Sequence, residues 1–242
     1  MNIGNAFSFV FEDEEWVNKI LVGALITLIP IFGSFALMGY GIAVVRNVKA
    51  GSTRPLPDWN DLGRYFMDGL MFWLVTLIYS LPILIIMCPI ALVWILPAVA
   101  GEQEDLTAAL AGVAGVLSAG LGCLAVLYGI LLGLLTPVLQ IRYAEFGEIG
   151  ACLRLGEVFR FLSAHIGGIV VSQVLLLVVG VVVGSVVGGM ATFLGLIPIC
   201  GWIVAVALGL LMVPVSVWLT VFAGHMYGQV GWQAEVPPTS MI

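Results

Sequence analysis

The chain has 242 residues, 62% of them hydrophobic and 9% charged, with a formal net charge of -6 and a mean hydropathy of +1.17. A soluble domain carries about a quarter charged residues and could not hide so much apolar surface, so the composition excludes a soluble fold. The acidic balance, with a pI near 4.7, lacks the basic stripe that nucleic acid requires, and no nucleic-acid partner is expected.

The amino terminus, MNIGNAFSFVFEDEEW, is acidic where a secretory signal would be basic, so the first apolar run is expected to stay in the mature protein. Within it Ile3, Phe7, Val10 and Phe11 recur at helical spacing, with Asn5, Glu12 and Asp13 elsewhere. That pattern predicts an interfacial helix lying flat on the membrane.

The first apolar run, 20–45, is interrupted by LIPIFG, Leu28 to Gly33, which holds Pro30 and Gly33. The arms on either side reach only roughly 15 and 22 Å as helices, too short for either to cross a bilayer alone. If the hexapeptide is a turn, the run dips in and returns, and the amino terminus is cytoplasmic. If Pro30 only kinks one helix, the run spans once and the amino terminus lies outside. The dip is preferred because LIPICG, Leu196 to Gly201, repeats the hexapeptide with Pro198 and Gly201. A second echo relates the segments that precede them, Ile3 to Trp16 and Ile149 to Leu162.

Next come LPDWNDLGRYFMDGL, Leu56 to Leu70, a third amphipathic stretch, and then apolar runs at 69–100, 106–139, 164–194 and 196–227. No charge falls between Gly69 and Gly101, between Leu106 and Ile141, or between Phe161 and Ala234, as expected of membrane-crossing segments. The runs lack barrel alternation, so they are helices, with Pro82, Pro89, Pro97, Pro137 and Pro214 as natural kink points. Basic residues collect in 46–68 and 140–163, which the positive-inside rule puts in the cytoplasm; acidic GEQED, 101–105, belongs outside. Trp94 and Trp202 then mark the outer interface, and Trp16, Trp59, Trp73, Tyr143, Tyr227 and Trp232 the inner one, while Trp218 and Tyr128 are assigned to the bundle interior. The expected fold is an all-α, polytopic helical bundle in a cell membrane, one transmembrane domain over 1–234 with a short flexible tail at 235–242.

The segment GALITLIPIFGSFALMGYGIAVVRNVKAGSTRPLPDWNDLG resembles the prokaryotic membrane family called domain of unknown function 4013. The IPIFG break, Gly39-Tyr40, Arg46, Lys49, Gly51 and the LPDW of Leu56 to Trp59 carry the likeness, and GEIGACLRLGEVFRFL extends it more loosely. The resemblance implies a multi-pass helical membrane protein and transfers no activity.

Transport of ions needs ionisable groups at membrane depth, and the last four runs contain none in their interiors. Gln173 is read as a helix-to-helix hydrogen bond. Gly180, Gly184 and Gly188 form a small-residue stripe, and Ala111, Gly115 and Ala119 another; both are read as helix-packing seams, with packing inside the chain preferred over packing on a partner. His165 and His225 are candidate haem or metal ligands, but no further ligand pattern accompanies them, and a polar residue at each helix end is the preferred reading. Cys88, Cys123, Cys152 and Cys200 have no paired spacing and are read as packing residues. The acids of 12–15 and the charges of 142–160 are read as solvated faces; Asp58, Asp61 and Asp68 are taken as a docking surface. No nucleophile with a base, phosphate loop or paired carboxylates stands out, so no enzyme and no cofactor is expected. The leading expectation is a non-catalytic scaffold or accessory subunit, whose partners are the lipid bilayer and other membrane subunits. The alternative is a passive transporter or lipid-handling protein for a neutral or lipid-like substrate.

Overall fold

The computed structural model describes residues 2–99, 104–197 and 200–235. Among them every regular element is an α-helix: α1 (Ile3–Ser8), α2 (Trp16–Thr27), α3 (Phe32–Lys49), α4 (Leu62–Val99), α5 (Glu104–Phe146), α6 (Ile149–Cys152), α7 (Leu155–Gly195) and α8 (Cys200–Glu235). Four stretches, Leu62–Ala91, Ala108–Phe146, Leu155–Gly195 and Gly201–Glu235, are long and apolar enough to cross a membrane. The chain forms two compact units, one of Met1–Trp73 with Pro137–Ile242 and the other of Leu74–Thr136.

In the larger unit α8 is the central helix, with α1, α2, α3 and α7 packed around it. The helices approach closely where glycine removes the side chain. A Cβ on Gly224 would stand 2.9 Å from the Gly41 carbonyl, and one on Gly228 would collide with Val48. Gly224 and Gly228, four apart on α8, thus make a small-residue seam against α3. On its other side α8 runs antiparallel to α7, and Tyr227 Oη donates to Gln173 Oε1 at 2.9 Å, a helix-to-helix bond.

LIPIFG is a tight turn between two helices. Leu28 ends α2, Ile31 adopts φ 66°, and Gly33 N donates to Ile29 O at 2.9 Å as α3 starts. A positive φ costs a β-branched residue energy, and the turn accepts that cost to reverse the chain within four residues. A Cβ on Gly33 would run into the carbonyl of Ile26, seven residues upstream. In LIPICG the described residues make two of the same contacts: Gly201 N donates to Ile197 O at 3.1 Å, and a Cβ on Gly201 would strike the carbonyl of Leu194, again seven upstream. Pro30 lies in the first turn; Pro198, its counterpart, lies outside the described residues, as do 101–103 of the expected outer connection and 236–242 of the tail.

The smaller unit is an antiparallel pair formed by the distal part of α4 and the proximal part of α5. Tyr128 Oη donates to Tyr79 O and Trp94 Nε1 to Ser118 Oγ, both at 2.8 Å. Tyr128 therefore packs within a helix pair; Trp94 instead uses its indole N–H on a neighbouring helix, although the ring is 57% exposed.

Three local expectations change. The stretch 3–16 is helical only to Ser8 and again from Trp16, and of its apolar residues Phe9 and Val10 join the buried core while Ile3 and Phe11 stay exposed. Residues 56–61 are irregular, and the helix that follows is the start of α4, not a separate interfacial piece. Residues 149–162 break at Leu153 and Arg154, after which α7 is already under way. The break in helical dihedrals inside α7 falls at His165 (φ -121°, ψ 21°), not at a proline; its Nδ1–H donates to the Phe161 carbonyl at 3.1 Å, competing with the helix ladder.

Candidate functional site

The described polar residues concentrate at one end of the larger unit, where the ends of α3 and α8 meet the starts of α2, α4 and α7. Its centre is the loop of LPDW. Trp59 lies flat on Tyr40 with ring centroids 4.0 Å apart and planes 6° from parallel, and Tyr65 closes the group edge-on to both. Every polar edge of this cluster is satisfied by backbone. Trp59 Nε1 donates to Lys19 O at 2.8 Å, Tyr40 Oη to Pro57 O at 2.8 Å, and Tyr65 Oη to Asp58 O at 2.7 Å. The loop can press this deep because Gly23 leaves room for the Trp59 ring and Gly39 for the backbone of Tyr65. Asn47 completes the clasp by donating from Nδ2 to Pro55 O at 3.1 Å.

Lys19 ties the amino-terminal segment to the same loop. Its ammonium group is 2.8 Å from Asp13 and 2.9 Å from Asp58 and donates to Leu56 O at 3.2 Å. Burial by itself would raise the Asp13 carboxyl, but the Lys19 ammonium and the Glu15 N–H more than offset it and hold the group below the usual carboxylate value. Around this core Arg46, Lys49 and Arg142 find acids. Arg46 pairs with Asp68 at 3.3 Å and donates to Ala144 O, and Lys49 lies 2.8 Å from both Glu145 and Glu235. Arg142 pairs with Glu157, donates to Ala151 O at 3.1 Å, and sits over the Phe146 ring.

Several charges thus do something other than what their pattern implied. Asp13 and Arg142, read as parts of solvated faces, are 7% and 8% exposed and hold the fold. Asp58 and Asp68 pair with Lys19 and Arg46, Asp58 from an exposed position and Asp68 from a largely buried one. Trp59 is partly buried and packs against the core cluster.

The remaining candidates separate. Pro30, Gly33 and Gly201 belong to the two turns. At Gly115, Gly180, Gly184 and Gly188 a Cβ would meet no atom within 4 Å, so the close internal contacts expected of those stripes are made instead by Gly39, Gly69, Gly224 and Gly228. The spacing of Gly224 and Gly228 was a readable signal for that seam. His225 is buried, stacked on Phe9 at 4.0 Å, with Nδ1 3.1 Å from Gln229 Nε2; His165 leans on Phe161. Each imidazole keeps its own local partners, and no group of three or more potential metal ligands forms among the described residues. Cys152 is fully buried, its thiol directed to Leu139 O at 3.6 Å and pushed up to about 11 by burial.

These features define a multi-pass, all-α membrane protein whose charged end is closed by a locked loop. The chain belongs to the family described as Protein of unknown function (DUF4013), whose model matches residues 22–194. The matched span contains the first turn, Gly39-Tyr40 and LPDW, so the residues that carry the resemblance are the ones that build the lock, and it ends just before the second turn. No curated protein and no solved structure matches the chain.

Proposed function

We propose that the protein is a non-catalytic scaffold or accessory subunit of a membrane complex. The observation that carries this reading is the contrast between its two kinds of glycine face. One set is consumed by packing inside the chain, while Gly180, Gly184 and Gly188 of α7 adjoin open space amid exposed Val181, Val182 and Val186. A small-residue stripe of that spacing is suited to close approach by another transmembrane helix, and a charged end whose loop is locked by internal hydrogen bonds and ion pairs suits a protein that holds rather than converts. Bilayer lipids surround the same faces. The basic segments 46–68 and 140–163 face the cytoplasm in this reading.

One observation favours a second reading, passive transport or lipid handling. Between α2 and α8 lies an apolar groove of 480 Å³ walled by Leu21, Leu25, Leu28, Leu210, Leu211 and Pro214. It has the character of an acyl-chain site.

Gentle extraction from the native membrane followed by mass spectrometry of what stays bound separates the two. A partner protein in fixed stoichiometry, lost on Gly184→Leu, is the expected result. Recovery of the chain alone, or with one enriched lipid, would replace the scaffold with lipid handling.

A further inference from the structure

Beside the lock lies a polar cavity of 540 Å³, bounded by the amino-terminal segment, the turn after α3 and the last turns of α8. Its walls are fixed by bonds that involve no ligand. Asn2 N donates to Gln229 Oε1 at 2.8 Å and Gln229 Nε2 donates back to Asn2 O at 3.0 Å, joining the two ends of the chain. Ser52 N donates to Asn47 O and Ser52 Oγ to Arg54 O, which sets the turn. A site preorganised in this way does not spend binding energy on ordering itself.

The chemistry of the walls is one-sided. Among the described residues Glu12 is the only Asp, Glu, Lys or Arg that lines the cavity, and the other titratable group there is the His225 imidazole. The Glu12 carboxylate accepts from Ser8 Oγ at 3.1 Å, and among the described residues no base lies within ion-pair distance of it. Of the nearby bases, Lys19 holds Asp13 and Asp58 and Lys49 holds Glu145 and Glu235, while exposed Arg54, between the lining residues Thr53 and Pro55, is not itself part of the lining. Trp232, half exposed, contributes an aromatic surface, and Asn5, Thr53 and Gln233 contribute neutral hydrogen-bonding groups. A carboxylate, an indole and carboxamides without a base repel anions and attract a compact cation that also donates hydrogen bonds.

We propose that this cavity binds an ammonium group, either the amine headgroup of a membrane lipid or a soluble organic amine, with Glu12 as counter-ion and Trp232 as cation–π partner. The position suits both sources, since the cavity opens at the charged end of the bundle, beyond the apolar lengths of α7 and α8. The inference does not depend on whether the protein scaffolds a complex.

The test uses the full chain purified in a neutral maltoside detergent. Ethanolamine and putrescine are titrated calorimetrically, with glucose and acetate as neutral and anionic controls. Saturable binding of an amine and none of the controls is expected, weakened at least tenfold by Glu12→Gln and also weakened by Trp232→Ala. Glu12 is exposed and Gln is isosteric, so a thermal melt unchanged from wild type will certify that this variant is folded. In parallel, protein in nanodiscs of phosphatidylethanolamine mixed with phosphatidylglycerol is released for native mass spectrometry. Retention of phosphatidylethanolamine that Glu12→Gln abolishes assigns the headgroup as ligand; binding of the soluble amine without such retention assigns a free amine. No saturable binding of any ammonium probe, or equal binding by folded Glu12→Gln, would overturn the proposal.

Discussion

Gly39 brings its α-carbon against the main-chain carbonyl of Tyr65, where α3 crosses the start of α4, and no side chain intervenes. Four residues earlier on α3, the Phe35 carbonyl meets Gly69 in the same manner, so the two helices touch through a reciprocal pair of glycines. A carbonyl cannot turn aside as a flexible side chain can. Gly39→Ala should therefore cost about 3 kcal/mol despite the better helix propensity of alanine. Gly184→Ala, with open space around it, should leave the melting temperature unchanged or raise it slightly. Thermal melts of the two variants in the same detergent check this, and equal behaviour would refute the crossing.

Among the described residues Lys19 is the only base within ion-pair distance of buried Asp13, and it also holds the LPDW loop through Asp58 and Leu56 O. Removing one partner of a buried pair leaves the other charge uncompensated, a larger loss than removing both. Lys19→Met should destabilise by about 3 kcal/mol. The double variant Lys19→Met with Asp13→Asn should recover part of that loss. A double variant no more stable than Lys19→Met, by the same melts, would mean that the pair contributes only its packing.

What could be read in advance follows from the range of the interaction. Apolar runs and charge gaps are local, and they located α4, α5, α7 and α8 to within several residues, while Pro30 and Gly33 located the first turn. At the ends of the two LIPI-x-G stretches, Gly33 and Gly201 meet carbonyls at the same upstream distance. Which glycine meets which helix is a tertiary property. The stripe at Gly180 to Gly188 looked like the better seam, yet Gly224 and Gly228 are the pair that α3 approaches. Asp13 and Arg142 were misread for the same reason: in sequence each stands among charges, and only the fold supplies the partner that buries it. Trp59 was assigned to a belt because its neighbours are polar, although its ring reaches past them to Tyr40.

Acid should loosen the amino-terminal segment. Asp13 is held below the ordinary carboxylate value of 3.8, so its contribution is fully present above that value. It is lost as pH falls through the lower folded value. Wild-type protein should thus lose stability more steeply than Asp13→Asn as pH is taken below about 4. Melts across an acid series measure the difference, and parallel curves for the two proteins would show that Asp13 does not titrate with folding.

The reversal at LIPIFG has a consequence for sidedness. Asn2 is bonded to Gln229, and Phe9 is stacked on His225, so the amino-terminal segment shares its end of the bundle with the carboxy-terminal turns of α8 and the loop after α3. Single cysteines at Ser8 and Ser52, both exposed, should therefore react with an impermeant maleimide from the same side of intact cells or oriented vesicles. Given the bases in 46–68, that side should be the cytoplasm. Native Cys152, buried and with its thiol pushed up to about 11, should stay unlabelled at neutral pH until the protein is denatured, which serves as an internal measure of folding. Labelling of Ser8→Cys and Ser52→Cys from opposite sides would mean that residues 20–45 cross the bilayer once, and the hairpin of α2 and α3 would have to be abandoned.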